Sequence, residues 1–189
     1  MCSSDLPAEF GRLYRVSITR NPLNPLSSIL YVISRNSSGR LSQSPDALKD
    51  NIATYINEYR LVGDAIDILD ARVINYRVIV SVVTGIGVNK QDVASKIRRE
   101  ISKVAQLDRY QIGTPLIEAD FINAIINVNG VLALEELEFE NLSNTILDRE
   151  YSKSRINMEI IKQKGMYFAN FGDIFELRYP DFDIEVSVQ

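Results

Sequence analysis

Histidine and tryptophan are absent from this chain, and Cys2 is its only cysteine. Without histidine there is no Ser–His triad, no Cys–His dyad and no imidazole-held metal, because the commonest general base and metal ligand is missing. One cysteine forms no disulfide within the chain and builds no cysteine-ligated zinc site. A carboxylate pair, a lysine or carboxylate-held Mg²⁺ is all that remains for catalysis. Long apolar runs are missing too. The run Val78-Ile79-Val80-Ser81-Val82-Val83 is far too short to span a bilayer. Met1–Leu6 is polar and no apolar stretch follows it, so a secretory signal is not expected. Basic blocks are equally scarce in a chain of formal charge −4 and pI near 5.0. The nearest cluster, Lys96-Ile97-Arg98-Arg99, covers about one helical turn and reads as a solvated helix face. Neither nucleic acid nor a membrane is an expected partner.

What is present is a globular composition. Hydrophobic residues make up 46% and charged residues 24% of the 189, which excludes disorder, collagen and coiled coil and suffices for a real core. Residues 13–18 alternate as a strand, Asn21-Pro22-Leu23-Asn24-Pro25 forbids helix, and Ile29–Ser34 reads as a second strand. Ser44 and Pro45 announce a helix with Leu48, Ile52, Ile56 and Tyr59 on one face, ended by Gly63. Residues 65–69 alternate again. Tyr76–Thr84 is apolar or β-branched on both faces, which predicts a central strand covered on both sides. Asn89 caps a second helix with Val93, Ile97, Ile101, Val104 and Leu107 inward. Thr114 and Pro115 open a third helix, with Ile117, Phe121, Ile125 and Val128 inward and a stop at Asn129-Gly130. Val131–Phe139 is a strand. Beyond Asn141, Met158–Ile161, Phe175–Arg178 and Phe182–Val188 read as strands, the last two around a turn at Tyr179-Pro180-Asp181. The expected fold is α+β, with helices packed on a mainly antiparallel sheet and an additional β-rich C-terminal region. The expected divisions are 1–6, 7–63, 64–141 and 142–189.

Three constellations invite a function. Gly85-x-Gly87 lies between a strand and a helix, but position 90 is lysine where a dinucleotide fingerprint needs glycine, and no Walker sequence follows; a turn is the plainer reading. Asp64, Asp67 and Asp70 are spaced by three, which does not share one strand face. Glu136, Glu138 and Glu140 do share one face, about 7 Å apart along the strand. With Glu135 they form either a solvated face that discourages edge pairing or an acidic docking surface. The aromatics Tyr167, Phe168, Phe171, Phe175, Tyr179 and Phe182 crowd the C-terminal region. Most belong in a core, and Tyr167, Phe171 and Tyr179 join the three glutamates as candidate interface residues.

The segment Ile52-Ala53-Thr54-Tyr55-Ile56-Asn57-Glu58-Tyr59-Arg60-Leu61-Val62-Gly63-Asp64 runs a helix into an Arg-x-x-Gly turn. Ile112-Gly113-Thr114-Pro115-Leu116 follows, and then Ala124-Ile125-Ile126-Asn127-Val128-Asn129-Gly130-Val131 with a Val-x-Gly-Val step into the next strand. In order and spacing these segments resemble the baseplate J-like family, and within it the baseplate wedge subunits of T-even-type contractile phages. Pro7–Arg12, Asn21-Pro22-Leu23 and Leu177-Arg178-Tyr179-Pro180 add to the resemblance.

That resemblance implies a structural protein of the virion tail baseplate, assembled in the host cytoplasm and not an enzyme. It would work in pairs, form rings around the tail hub and contact other wedge proteins, with no cofactor, metal or small-molecule substrate and no catalytic residues to carry over. Family members are longer toward the N-terminus. The chain is therefore expected to be the C-terminal portion of one, with Met1–Leu6 a non-native leader and self-association through the C-terminal third. The alternative is a ferredoxin-like ligand-binding or regulatory module. A Mg²⁺-dependent enzyme using Asp64, Asp67 or the 135–140 glutamates ranks behind both.

Overall fold

The computed structural model of the protein describes residues 13–59 and 65–189. The expectations for 1–6, for Pro7–Arg12 and for Arg60–Asp64 lie outside the described residues. Among the described residues, five helices and thirteen strands, in mixed and antiparallel sheets, make an α+β fold with a β-rich C-terminal region. The chain divides into two compact units, between Arg72 and Val73. Residues 111–113 and 170–173 join the first unit, and the rest of 73–189 forms the second. This division differs from breaks at 63 and 141.

In the first unit, β1 (Leu13–Arg20) pairs antiparallel with β2 (Ser27–Arg35), and the short β3 (Leu41–Ser42) pairs with the end of β2. The helix α1 (Asp46–Tyr59) then carries the chain over to β4 (Ala65–Asp70), which runs parallel to β2. A parallel pair needs such a crossover, since no tight turn can return the strand in the same direction. Leu48 and Ile52 of α1 bury themselves on Leu30 and Val32 of β2, as the spacing of four predicts. Ser44 does not act as a simple cap: its hydroxyl meets that of Ser34 at 2.9 Å in the interior. Its N–H donates to Asp70, which also accepts from Lys49 at 2.8 Å.

Gly172 lies against the Tyr31 ring, so a Cβ there would run into the ring's edge. Its carbonyl accepts the Arg72 N–H at 2.8 Å, which restrains the backbone from moving away. Gly172→Ala is expected to lower stability by about 1–3 kcal/mol, the usual penalty of overpacking, read as a shift in a urea unfolding midpoint at unchanged slope.

The second unit is built on β5 (Arg72–Thr84). The helices α2 (Lys90–Val104) and α3 (Glu118–Ile126) cover one face, with the two-residue β6 (Leu116–Ile117) before α3. The long β7 (Val131–Leu142) returns antiparallel along one edge of β5. Small elements follow: β8 (Thr145–Ile146), β9 (Arg149–Glu150), α4 (Met158–Ile161), β10 (Lys162–Gln163), β11 (Met166–Tyr167) and β12 (Asp173–Glu176). A turn of helix, α5 (Pro180–Asp183), leads into β13 (Ile184–Val188), which lies parallel to β5 along Val78–Val82. β12 also pairs with β5. The sheet is mixed, with β7 antiparallel and β13 parallel to β5.

The core gathers Ile74, Tyr76, Val78, Val80 and Val82 of β5, Val93, Ile97 and Ile101 of α2, and Phe121 and Ile125 of α3. Phe139 is its hub, edge-on to the rings of Tyr76, Phe121 and Tyr167 at 6.0, 5.0 and 5.1 Å, the geometry that sets a positive ring edge against a negative face. Asn89 caps α2 by accepting from the Gln91 and Asp92 N–H groups.

Four expectations change. The third helix starts at Glu118, not at Thr114, because Leu116 and Ile117 pair with Tyr167 and Met166. Met158–Ile161 is a helical turn capped by Asn157, not a strand. The strand expected at Phe175–Arg178 is Asp173–Glu176, and the turn after it is one turn of helix. Finally, from Arg77 to Val83 only one face of β5 is covered among the described residues, whereas at Asn75 the other face is buried as well. Its buried residues alternate with half-buried Arg77, Ile79, Ser81 and Val83. Val and Ile are strand formers whether or not a second layer covers them, which is why the sequence reads as two-sided.

Candidate functional site

The uncovered face of β5, β7 and β13 is the most unusual surface of the second unit. Register places its side chains in rows. Ile79 lies between Glu138 on β7 and Glu185 on β13, Arg77 lies beside Glu140, Ser81 lies between Glu136 and Ser187, and Val83 lies beside Ala133. The register of β7 against β5 shifts at Ser81–Val82 and leaves Glu135 as an extra residue. Its carboxylate accepts from the Ser81 hydroxyl at 2.9 Å, so the bulge adds a fifth glutamate to the face.

The electrostatics are lopsided. Among the described residues of these three strands, Arg77 is the cation on this face, 2.7 Å from Glu185 and 3.8 Å from Glu140. Glu136 and Glu138 are exposed and make no hydrogen bond or ion pair among the described residues. Five glutamates and one arginine give this face four net negative charges, equal to the formal charge of the whole chain. With 25 acidic and 21 basic residues in total, the remainder of the chain carries twenty of each. Formally, the remainder of the chain is thus balanced.

The glutamates predicted from the sequence are thus on one face and exposed. The predicted aromatics part company. Tyr167 is 2% exposed and packs in the core on Phe139. Tyr179 is half-buried, edge-on to Tyr151 at 5.4 Å. Phe171 belongs to the first unit and is 77% exposed. Of the others, Phe175 is buried, while Phe168 and Phe182 remain exposed, Phe182 beneath the Arg149 guanidinium at 3.4 Å. Among the acidic run, Asp67 lies 3.4 Å from the Asn21 amide, Asp70 is held by Lys49 and Ser44, and Asp64 lies outside the described residues.

Two features were not legible in the sequence. One is a cleft of about 580 Å³ between α2 and α3, lined by Lys96, Arg99, Arg109, Asp120, Asn123 and Asn127. The other is a pair of buried polar networks. Asn75, fully buried, donates to the Glu176 carboxylate at 2.8 Å and accepts the Ser152 N–H at 2.7 Å, and Arg178 pairs with the same carboxylate at 3.2 Å. Asp183, also buried, accepts from the Tyr151 hydroxyl at 2.6 Å and from the Tyr179 N–H at 2.8 Å. Both Asp183 oxygens are engaged, so this carboxylate fastens α5 in place and offers a substrate no free atom.

Burial raises the Asp183 carboxyl above its ordinary range, against the pull of its two donors. The folded state then holds the proton more tightly than the unfolded state. The stability from this group is complete below the unfolded carboxyl value and is lost as pH rises through the folded one. Asp183→Asn keeps an oxygen for the Tyr179 N–H and is expected to fold. It should remove that part of the loss of stability on the acid side of neutrality, as followed by urea unfolding at stepped pH.

Among the described residues, no group of three or more His, Cys, Asp or Glu side chains is placed to hold a metal ion, and no helix is long and apolar enough to cross a membrane. No protein-family model matches the chain, and no curated protein matches it.

Proposed function

We propose that this chain is a structural subunit that works by docking other proteins, and that its setting is the baseplate wedge of a contractile phage tail. The observation that supports docking is the two-layer second unit, whose helices cover one sheet face and whose other face carries five glutamates against one arginine. The glutamates stand exposed on the strand face, with Glu138 and Glu140 at the border of an open depression that also takes in Arg155. The baseplate setting rests on the resemblance of the segments between Ile52 and Val131. Pairing of the chain with itself, through exposed aromatics such as Phe168 and Phe182, belongs to the same reading. Quantitative mass spectrometry of purified tail baseplates tests it: the chain should be present at a fixed ratio to other wedge proteins. Its absence from intact tails would refute the setting.

The cleft between α2 and α3 favours a second reading, a ferredoxin-like ligand-binding or regulatory module. It sets Lys96, Arg99 and Arg109 against Glu100 and Asp120, with the amides of Asn123 and Asn127 beside them, a mixed polar lining suited to a small polar ligand. Calorimetric titration with a small-molecule library would separate the two, since only this reading requires a saturable ligand.

A further inference from the structure

The pattern on the open sheet face specifies its occupant more closely than "a protein". The central strand offers apolar side chains at Ile79 and Val83, and β7 beside it offers the unpartnered carboxylates of Glu136 and Glu138. Two residues along a strand are about 7 Å apart, and one turn of helix advances about 5.4 Å. Cations at i and i+4 on a helix therefore meet carboxylates at i and i+2 on a strand. The opposite flank is less demanding, since Glu185 is already held by Arg77 at 2.7 Å.

A second copy of this chain does not fit through α1 or α2. The exposed side of α2 is basic, with Lys96, Arg98 and Arg99, but its other exposed residues are polar and it has no apolar stripe. On α1, Tyr55 and Tyr59 are exposed, but the exposed charges beside them, Asp46, Asp50 and Glu58, are acidic. Strand addition at the free edge of β7 is also disfavoured, because charges and a bulge along an edge strand oppose it.

We infer that the open face of β5, β7 and β13 seats an amphipathic helix of another protein, its apolar stripe on Ile79 and Val83 and a row of lysines or arginines on Glu136 and Glu138. The inference rests on the docking reading and names its partner's chemistry.

The test uses the whole chain and a fluorescently labelled synthetic helix of about four turns, with a leucine stripe flanked on one side by lysines. A second peptide carries glutamates in place of the lysines. Anisotropy titration should give saturable binding of the basic peptide, tighter than about 1 mM, and none of the acidic one. The variant carrying Glu136→Lys and Glu138→Lys, both on exposed positions, should melt like the parent and bind at least about tenfold more weakly, as should the parent at high salt. Equal binding of both peptides, or binding unchanged in the variant, overturns the inference. So does no binding at all, or self-association of the chain that the double variant abolishes. Each of these leaves the docking reading standing if the chain is found in purified baseplates. Absence from baseplates with charge-selective binding would instead remove the setting and keep the surface.

Discussion

Val80→Asp is expected to unfold the second unit. Val80 is 1% exposed in the centre of β5, among Val78, Val82, Ile97 and Ile101. A carboxylate there has no described cation or donor to meet it, and an unpaired buried charge costs about 4 kcal/mol or more, a large part of the 5–15 kcal/mol that holds a typical domain together. The neighbouring position supplies the control. Ile79 points to the opposite face, is half-buried and lies between two glutamates, so Ile79→Thr, which keeps β-branching, should change stability by about 1 kcal/mol or less. Urea unfolding followed by tyrosine near-ultraviolet circular dichroism measures both. If the two variants are equally damaged, β5 is covered on both faces and the open surface does not exist. If Val80→Asp melts like the parent, the core is misplaced.

Asn75→Ala should be nearly as harmful although it removes no apolar surface. The Asn75 amide is fully buried and joins three chain segments: its Nδ2 donates to Glu176, its Oδ1 accepts from Ser152, and its own carbonyl accepts from Asn141 at 2.9 Å. Truncation strands a backbone N–H and removes a donor from a carboxylate that is 1% exposed. The expected loss is about 3–5 kcal/mol, because the penalty lies in the groups left behind. A double variant with Glu176→Gln checks this origin. Removing the charge should make the pair of substitutions less damaging than their sum, whereas strict additivity would show that the two side chains act independently.

The α+β organisation was readable because its signals are local. Asn89 caps α2, the spacing of Val93, Ile97 and Ile101 sets its buried face, and the alternation of Glu136, Leu137, Glu138 and Phe139 sets the faces of β7. What was not readable depends on pairing between distant segments. Thr114-Pro115 is a good helix start, yet Leu116 and Ile117 are claimed by a strand some fifty residues on. Met158–Ile161 is apolar enough for a strand, but Asn157 caps it as a helix. The open face was half legible. Its glutamates were visible as a period of two, but Ile79 and Val83 signalled a second buried face where the strand is only half-covered. Glu185, Arg77 and the bulge at Glu135 joined the site only through strand order. The aromatics misled for a related reason: Tyr167 fills the core because Phe139 and Phe121 meet it there, and composition alone cannot separate a core ring from an exposed one such as Phe171.

Whether the open acidic face is a docking surface is tested most directly by zero-length carbodiimide cross-linking of assembled tail particles containing this chain. The reagent joins a carboxylate only to an amine in contact with it. Glu136 or Glu138 should be recovered joined to lysines of another protein in the particle, and a small hydrazide added to the intact particle should no longer label them. Full hydrazide labelling of both glutamates in the particle, with every cross-link mapping to other parts of the chain, would contradict it.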